Sequence, residues 1–169
     1  LLLVGCGLLI TLATYFYSPA NIIVFGILSL LGWAAIITVL ARPVLKKIPV
    51  KLGIALSSLL FFLTHEIANG RLSLLKINVY DLPLSWYDSR FLFPLGLPHA
   101  NFTSADYFPL LPWIFAYWLG YFCWQMIGEE TREKYFFWRL SGFAFMGRHS
   151  LLLYLIHQPI IFAVLSLIF

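Results

Sequence analysis

Charge is scarce in this chain: Lys, Arg, Asp and Glu make up 11% of its 169 residues, against about 25% in an ordinary soluble domain. Cysteine is scarcer still. Cys6 and Cys123 are the only two, each inside an apolar run, so no disulfide framework and no zinc-ligand spacing exists, and no metal is expected. Both read as small core residues. The sequence contains no internal repeat, no low-complexity tract and no stretch that reads as a second, water-soluble domain. Basic residues form no stripe with interleaved aromatics on a solvated element, which excludes nucleic acid as a partner. The chain opens without methionine, and its first apolar run has neither a basic region before it nor a cleavage site after it, so it does not read as a signal peptide.

What the chain has in abundance is hydrocarbon. Hydrophobic residues are 62% of it and its mean hydropathy is +0.90, where a soluble domain holds about 45–50% apolar residues. A soluble core of this size could not absorb so much apolar side chain. A membrane-spanning helix needs about 20 mostly apolar residues, and five segments reach or approach that: Leu1 to Phe16, Ala20 to Leu40, Leu52 to Thr64, Tyr107 to Ile127, and Phe145 to Phe169. The predicted fold is therefore all-α, a polytopic membrane bundle of five transmembrane helices. It forms a single membrane domain over 1–169 with a long ordered extracytoplasmic loop at 66–106.

Lys and Arg in short connections set the orientation of such a bundle. Arg42, Lys46, Lys47 and Lys51 follow the second helix, and Arg132, Lys134, Arg139 and Arg148 lie between the last two, so both connections are predicted to be cytoplasmic. The turn at Tyr17 to Pro19 carries no positive charge. The segment from Glu66 to Asp106 has Arg71, Lys76 and Arg90 balanced by Asp81 and Asp88, and both are predicted to lie outside. In that outer segment Leu82-Pro83, Phe93-Pro94 and Leu97-Pro98 fix extended backbone, while Trp86, Tyr87, Phe91, Phe93 and Phe102 supply surface to bury. It is expected to form either a lid across the helix ends or an aromatic interfacial belt.

Two stretches carry candidate chemistry. In Ser104-Ala-Asp-Tyr-Phe-Pro-Leu-Leu-Pro-Trp113, Asp106 followed by Pro in the first turn reads as the N-cap of the fourth helix. The same carboxylate at the outer rim, beside Tyr107 and Trp113, can orient a sugar hydroxyl or amine. Pro112, placed deeper, is expected to free the carbonyl of Phe108. In the last helix Ser150, Tyr154 and His157 are spaced +4 and +3 and share one face, with Ile161 in line and Gln158 on its shoulder. Pro159 is expected to kink the helix beside His157. At about 1.5 Å per residue His157 lies roughly 13 Å from Arg148, close to mid-membrane, where a neutral imidazole serves as base or acceptor. The plain alternative is hydrogen bonding between helices. Arg148 and His149, with Ser150 opening the stripe, form either snorkelling anchors or a grip for the phosphates of an anionic cofactor. Glu129 to Lys134 reads as a solvated loop.

Phe25-Gly-Ile-Leu-Ser-Leu-Leu-Gly32, Leu92-Phe-Pro-Leu-Gly-Leu-Pro98 running into the 104–113 stretch, and Gly147-Arg-His-Ser-Leu-Leu-Leu-Tyr-Leu-Ile-His-Gln-Pro159 resemble bacterial members of the heparan-alpha-glucosaminide N-acetyltransferase catalytic-domain family. The likeness spans nearly the whole chain. It implies a membrane enzyme that moves an acetyl group from cytoplasmic acetyl-CoA to a sugar or glycan acceptor on the outer side, in a bacterial plasma membrane. It also implies roles for His157, Arg148 and Asp106. His157, oriented by Tyr154, would then be the catalytic base, and Arg148, His149 and Ser150 the acetyl-CoA site. Two departures stand out. Many relatives have a histidine where this chain has Ser29, and the family's earlier helices, with an Arg-Gly motif and a catalytic histidine region, do not occur in it. The chain is thus expected to be the C-terminal portion of such an enzyme, inactive alone. Its expected partners are the bilayer, the acceptor, the N-terminal helices of the same protein and, for a homo-oligomer, further copies of itself. The rival function is a transporter or flippase whose conduction path is the same polar stripe. A third is a structural membrane subunit.

Overall fold

The computed structural model describes residues 1–74, 77–128, 131 and 141–168, and the chain forms two compact units, Leu1–Met126 and Ile127–Phe169. The first unit contains helices α1 (Leu2–Tyr17), α2 (Ile27–Leu45), α3 (Val50–Thr64) and α4 (Leu110–Met126), with a hairpin of β1 (Arg71–Leu74) and β2 (Ile77–Asp81) between the last two. The second contains α5 (Ser141–Arg148) and α6 (Ser150–Ile168). Lys76, Glu129, Glu130, Arg132, Lys134 and Arg139 lie outside the described residues, as do the side chains of Gln158, Pro159 and Ile161.

The protein is mostly helical, as the apolar runs require, and among the described residues two stretches are long and apolar enough to cross a bilayer: Ile27–Leu45 and Val50–Asn69. Helix α1 is apolar but shorter, at 16 residues. The helices turn apolar side chains outward, with Leu9 65%, Val39 69% and Leu40 73% exposed, the inverse of a soluble core and the arrangement lipid favours.

Helix boundaries differ from the sequence expectation where non-local contacts intervene. Helix α2 begins at Ile27 rather than Ala20, because Pro19–Asn21 forms a 3-10 turn and Phe25 then takes a left-handed φ of 59°. It runs past Leu40 to Leu45, with Arg42 in its last turn, where a cation complements the helix dipole. Pro112 does not interrupt the fourth helix from within. Leu111 is extended (φ −94°, ψ 129°), so the regular helix starts at Pro112, where a missing N–H costs nothing.

Small residues let the helices approach closely, as they do in lipid-embedded bundles. A Cβ on Gly7 would sit 2.3 Å from Ser29 Oγ, and one on Gly32 would sit 2.6 Å from Val4 Cγ2, so α1 and α2 touch nearly backbone to backbone. Ser29 is buried there, and the packing leaves no room for a histidine. Helices α3 and α4 meet where the ring of Phe122, 1% exposed, lies on Gly53. Trp118 Nε1 donates to Thr38 Oγ1 at 2.9 Å, joining α4 to α2.

The 66–106 segment has more structure than a lid of extended chain. Its antiparallel hairpin pairs Arg71 with Asp81 and Leu74 with Ile77, with a register shift at Leu72/Ser73. Two 3-10 turns follow, Leu84–Tyr87 and Phe93–Leu95. Ile67, Leu82 and Leu97 form a small buried core, covered by Leu72, Tyr87, Leu92 and Leu111. Gly96 turns at φ 102°, pressed within 2.8 Å of the Leu111 carbonyl oxygen when a Cβ is placed on it, a position that excludes any side chain.

Candidate functional site

Asp106 does not cap the fourth helix. That helix is regular only from Pro112, and the Asp106 carboxylate instead accepts the backbone N–H of Ile27 at 3.5 Å, serving the start of α2 from across the fold. Helix α2 needs this help because its own N-cap, Gly26, has no side chain. Glycine is also required, since a Cβ at position 26 would stand 2.8 Å from Asp106 Oδ2.

The rest of the crossing is stitched in the same way. Ser104 Oγ accepts from the Val24 N–H at 2.9 Å and donates to the Val24 carbonyl at 3.1 Å. The Ala105 N–H reaches the Ile22 carbonyl at 3.0 Å and the Phe108 N–H the Phe25 carbonyl at 3.1 Å. Asp106→Ala should lower the unfolding free energy by about 1 kcal/mol, the typical worth of a helix cap. A detergent-solubilised thermal melt checks it, and an unchanged melting temperature removes the carboxylate from this role.

Tyr107 and Trp113, which the sequence sets beside that carboxylate, have partners of their own. The Tyr107 hydroxyl donates to the Phe93 carbonyl. Trp113 packs edge-on to Phe61 and Phe108, at 5.7 and 5.4 Å between centroids. Together with His65 they line a hollow of 170 Å³ whose walls do not include Asp106.

The second unit carries the residues read as a polar stripe. Ser150, Tyr154 and His157 lie on one helix, α6, which runs uninterrupted through position 159. Between α5 and α6 the helix is interrupted at His149. Hydrogen bonds still bridge it, from the His149 N–H to the Phe145 carbonyl at 3.1 Å and from the Leu153 N–H to the His149 carbonyl at 2.9 Å.

His157 is exposed, its Nδ1–H donates to the main-chain carbonyl of Tyr154, and the two rings stand 5.2 Å apart. A histidine whose Nδ1 carries the proton presents Nε2 as a lone pair, the form a general base needs. Tyr154 therefore fixes the imidazole through its backbone. Arg148 and His149 are exposed at the start of this helix. Arg148 Nε donates to the Ala144 carbonyl at 3.3 Å, and His149 Nδ1 to that of Phe145 at 3.0 Å. Ser150, also exposed, opens the stripe directly after them.

One feature escaped the sequence. A cleft of 610 Å³ opens in the 66–106 segment, with Asn69, Tyr87, Asp88, Arg90, His99 and Asn101 among its lining residues. Its aromatic wall is anchored: the Tyr87 hydroxyl donates to the Ile67 carbonyl. Burial pushes that phenol up from its ordinary value, offset in part by a backbone hydrogen bond from Gly70, so it stays neutral. His99 is held as well, its Nδ1 accepting the Asn101 N–H at 3.3 Å, which leaves the neutral ring's proton on Nε2. Clustered prolines and aromatics marked the segment as ordered, but nothing local told which of its polar residues would converge.

Apolar helices of spanning length and close helix contacts through glycine and serine mark a helical membrane protein. Residues 1–159 match heparan-alpha-glucosaminide N-acetyltransferase, catalytic, and the chain belongs to that family. It is accordingly a membrane acetyltransferase of that family. Neither a curated protein nor a solved structure matches it.

Proposed function

We propose that the protein takes acetyl groups from acetyl-CoA on the cytoplasmic side of a bacterial plasma membrane and transfers them to a sugar or glycan on the outer side. All five apolar segments cross the bilayer in this reading, with the basic connection of Arg42 to Lys51 inside and the 66–106 segment outside. The observation that carries it is the α6 stripe, above all the Nδ1–H to Tyr154 carbonyl bond that leaves His157 Nε2 as base.

Arg148, His149 and Ser150 suit the phosphates of the donor, because a guanidinium fork grips phosphate bidentately. The acceptor amine or hydroxyl attacks the thioester carbonyl carbon while His157 Nε2 takes its proton. The carbon–sulfur bond breaks, the acetyl group stays on the acceptor, and the proton passes to the departing thiolate of CoA. Asp106 serves this reaction by holding α2 against the 104–108 strand of chain at the rim.

The test uses sealed vesicles carrying the full-length protein, radiolabelled acetyl-CoA on the side of Arg148 and a glucosaminide on the other. Label on the sugar supports the reading. Saturable solute uptake with no transferred label overturns it in favour of a transporter.

A further inference from the structure

We propose that the unit Leu1–Met126 carries a site for one phospholipid of the outer leaflet, with a zwitterionic phosphoethanolamine head in the cleft of Asp88 and Arg90 and an acyl chain in a groove between α2 and α4. This rests on the membrane crossing proposed above, with the 66–106 segment outside, and not on the acetyl chemistry.

Three hollows carry it, each sharing a wall with the next. Ala68 lines both the 610 Å³ cleft and the 170 Å³ hollow of His65, Tyr107 and Leu111. Trp113 lines that hollow and also a groove of 190 Å³, whose other walls include Ile27, Leu31 and Ala34 of α2 with Phe108 and Tyr117. Both helices start at this end, α2 at Ile27 and the regular part of α4 at Pro112, so the groove descends from the rim. From Ile27 to Ala34 it follows about 10 Å of helix, most of the roughly 15 Å that one leaflet gives to the hydrocarbon core.

A polar cleft leading by shared walls into an apolar groove suits an amphiphile, since a water-soluble ligand would gain nothing from the groove. His65, exposed at the hollow between them, offers a ring nitrogen to the ester carbonyls that join head to chains.

Charge selects the head. Asp88 and Arg90, separated by Ser89 and both exposed, bring one carboxylate and one guanidinium to the cleft. The guanidinium fork grips a phosphate bidentately, the Nε2–H of His99 adds a donor, and the carboxylate suits an ammonium. A phosphodiester ending in an amine satisfies both charges. A phosphatidylglycerol head brings the phosphate alone and leaves Asp88 beside uncompensated negative charge. The walls are also held in advance, the Leu82 N–H on the Gly70 carbonyl and the Phe102 N–H on the His99 carbonyl, each at 2.8 Å, which spares a headgroup the cost of ordering them.

The experiment takes the full-length protein, stripped of lipid in detergent, and measures by native mass spectrometry the binding of dioleoyl phosphatidylethanolamine and of phosphatidylglycerol with the same chains. The parent should bind the first about tenfold tighter or more, the worth of one hydrogen bond between charged groups. Arg90→Gln should weaken both lipids by about tenfold or more. Asp88→Asn should weaken phosphatidylethanolamine alone and so erase the preference. Leu31→Trp fills the groove and should weaken both lipids equally, with the preference intact. All three positions are exposed, so folding is undisturbed.

A parent with no preference or the reverse one overturns the proposal, as does a preference that survives Asp88→Asn or binding undiminished in Leu31→Trp. If this pattern holds while no acetyl is transferred from acetyl-CoA, the lipid site stands and the transferase reading falls. Labelling of Ala100→Cys, in a chain with Cys6→Ser and Cys123→Ser, by an impermeant maleimide outside intact cells checks the crossing separately. Labelling only after the cells are opened would overturn that crossing and the leaflet assigned to the lipid.

Discussion

Replacing His157 by alanine in the full-length protein should cut acetyl transfer by about 10²–10⁴, the usual worth of a positioned general base, or about 3–5 kcal/mol of barrier. The imidazole is exposed, and its described hydrogen bond runs to the main chain of its own helix, so insertion and abundance should stay at the parental level. Single-turnover transfer of labelled acetyl, normalised to the amount of inserted protein, measures the effect. Tyr154→Phe is the companion variant. Because the tyrosine holds the imidazole through its carbonyl, which phenylalanine retains, transfer should fall by less than about tenfold. Unchanged turnover in His157→Ala would remove the imidazole from the chemistry, and a collapse in Tyr154→Phe would give the phenol a direct part.

The largest effect on stability is expected at Gly53. A Cβ there would lie 2.5 Å from the ring of Phe122, a contact no real side chain makes, and the ring is 1% exposed with nowhere to turn. Gly53→Leu forces α3 away from α4, and overpacking of this kind typically costs about 1–3 kcal/mol and at times more. Gly120→Leu on α4 is the control, since nothing lies within 4 Å of a Cβ placed there and the position is exposed. Thermal denaturation in detergent should show the Gly53 variant melting far below the parent and the Gly120 variant at or slightly above it, leucine being the better helix former. Equal melting temperatures would mean that the two helices do not meet through this glycine.

The helices were legible because lipid demands long apolar runs, a local property of the chain. Their ends were less so. The Ala20 to Leu40 run reads as one helix, but Phe25 turns left-handed and the first N–H of α2 looks to a carboxylate far along the chain. Asp106 obeys the local rule for an N-cap of the following helix. The competing partner, a helix start with glycine at its own cap, is invisible without the fold.

The hairpin was missed for a related reason. Every residue of Ile77–Asp81 is exposed, so no burial alternation marks the strand. The stripe of Ser150, Tyr154 and His157 was readable because helical register is purely local. The break at His149 between α5 and α6 was not read from the sequence, and α6 continues as helix through position 159.

The seam between Ile22–Ile27 and Ser104–Phe108 is sewn with peptide groups: of its hydrogen bonds, those from Ala105 and Phe108 involve no side chain at all. Substituting Ile22 or Ala105 leaves their main-chain bond in place, whereas Gly26, Ser104 and Asp106 hold the rim through what their side chains are. Parting the start of α2 from the 104–108 stretch therefore costs main-chain hydrogen bonds whichever side chains line it.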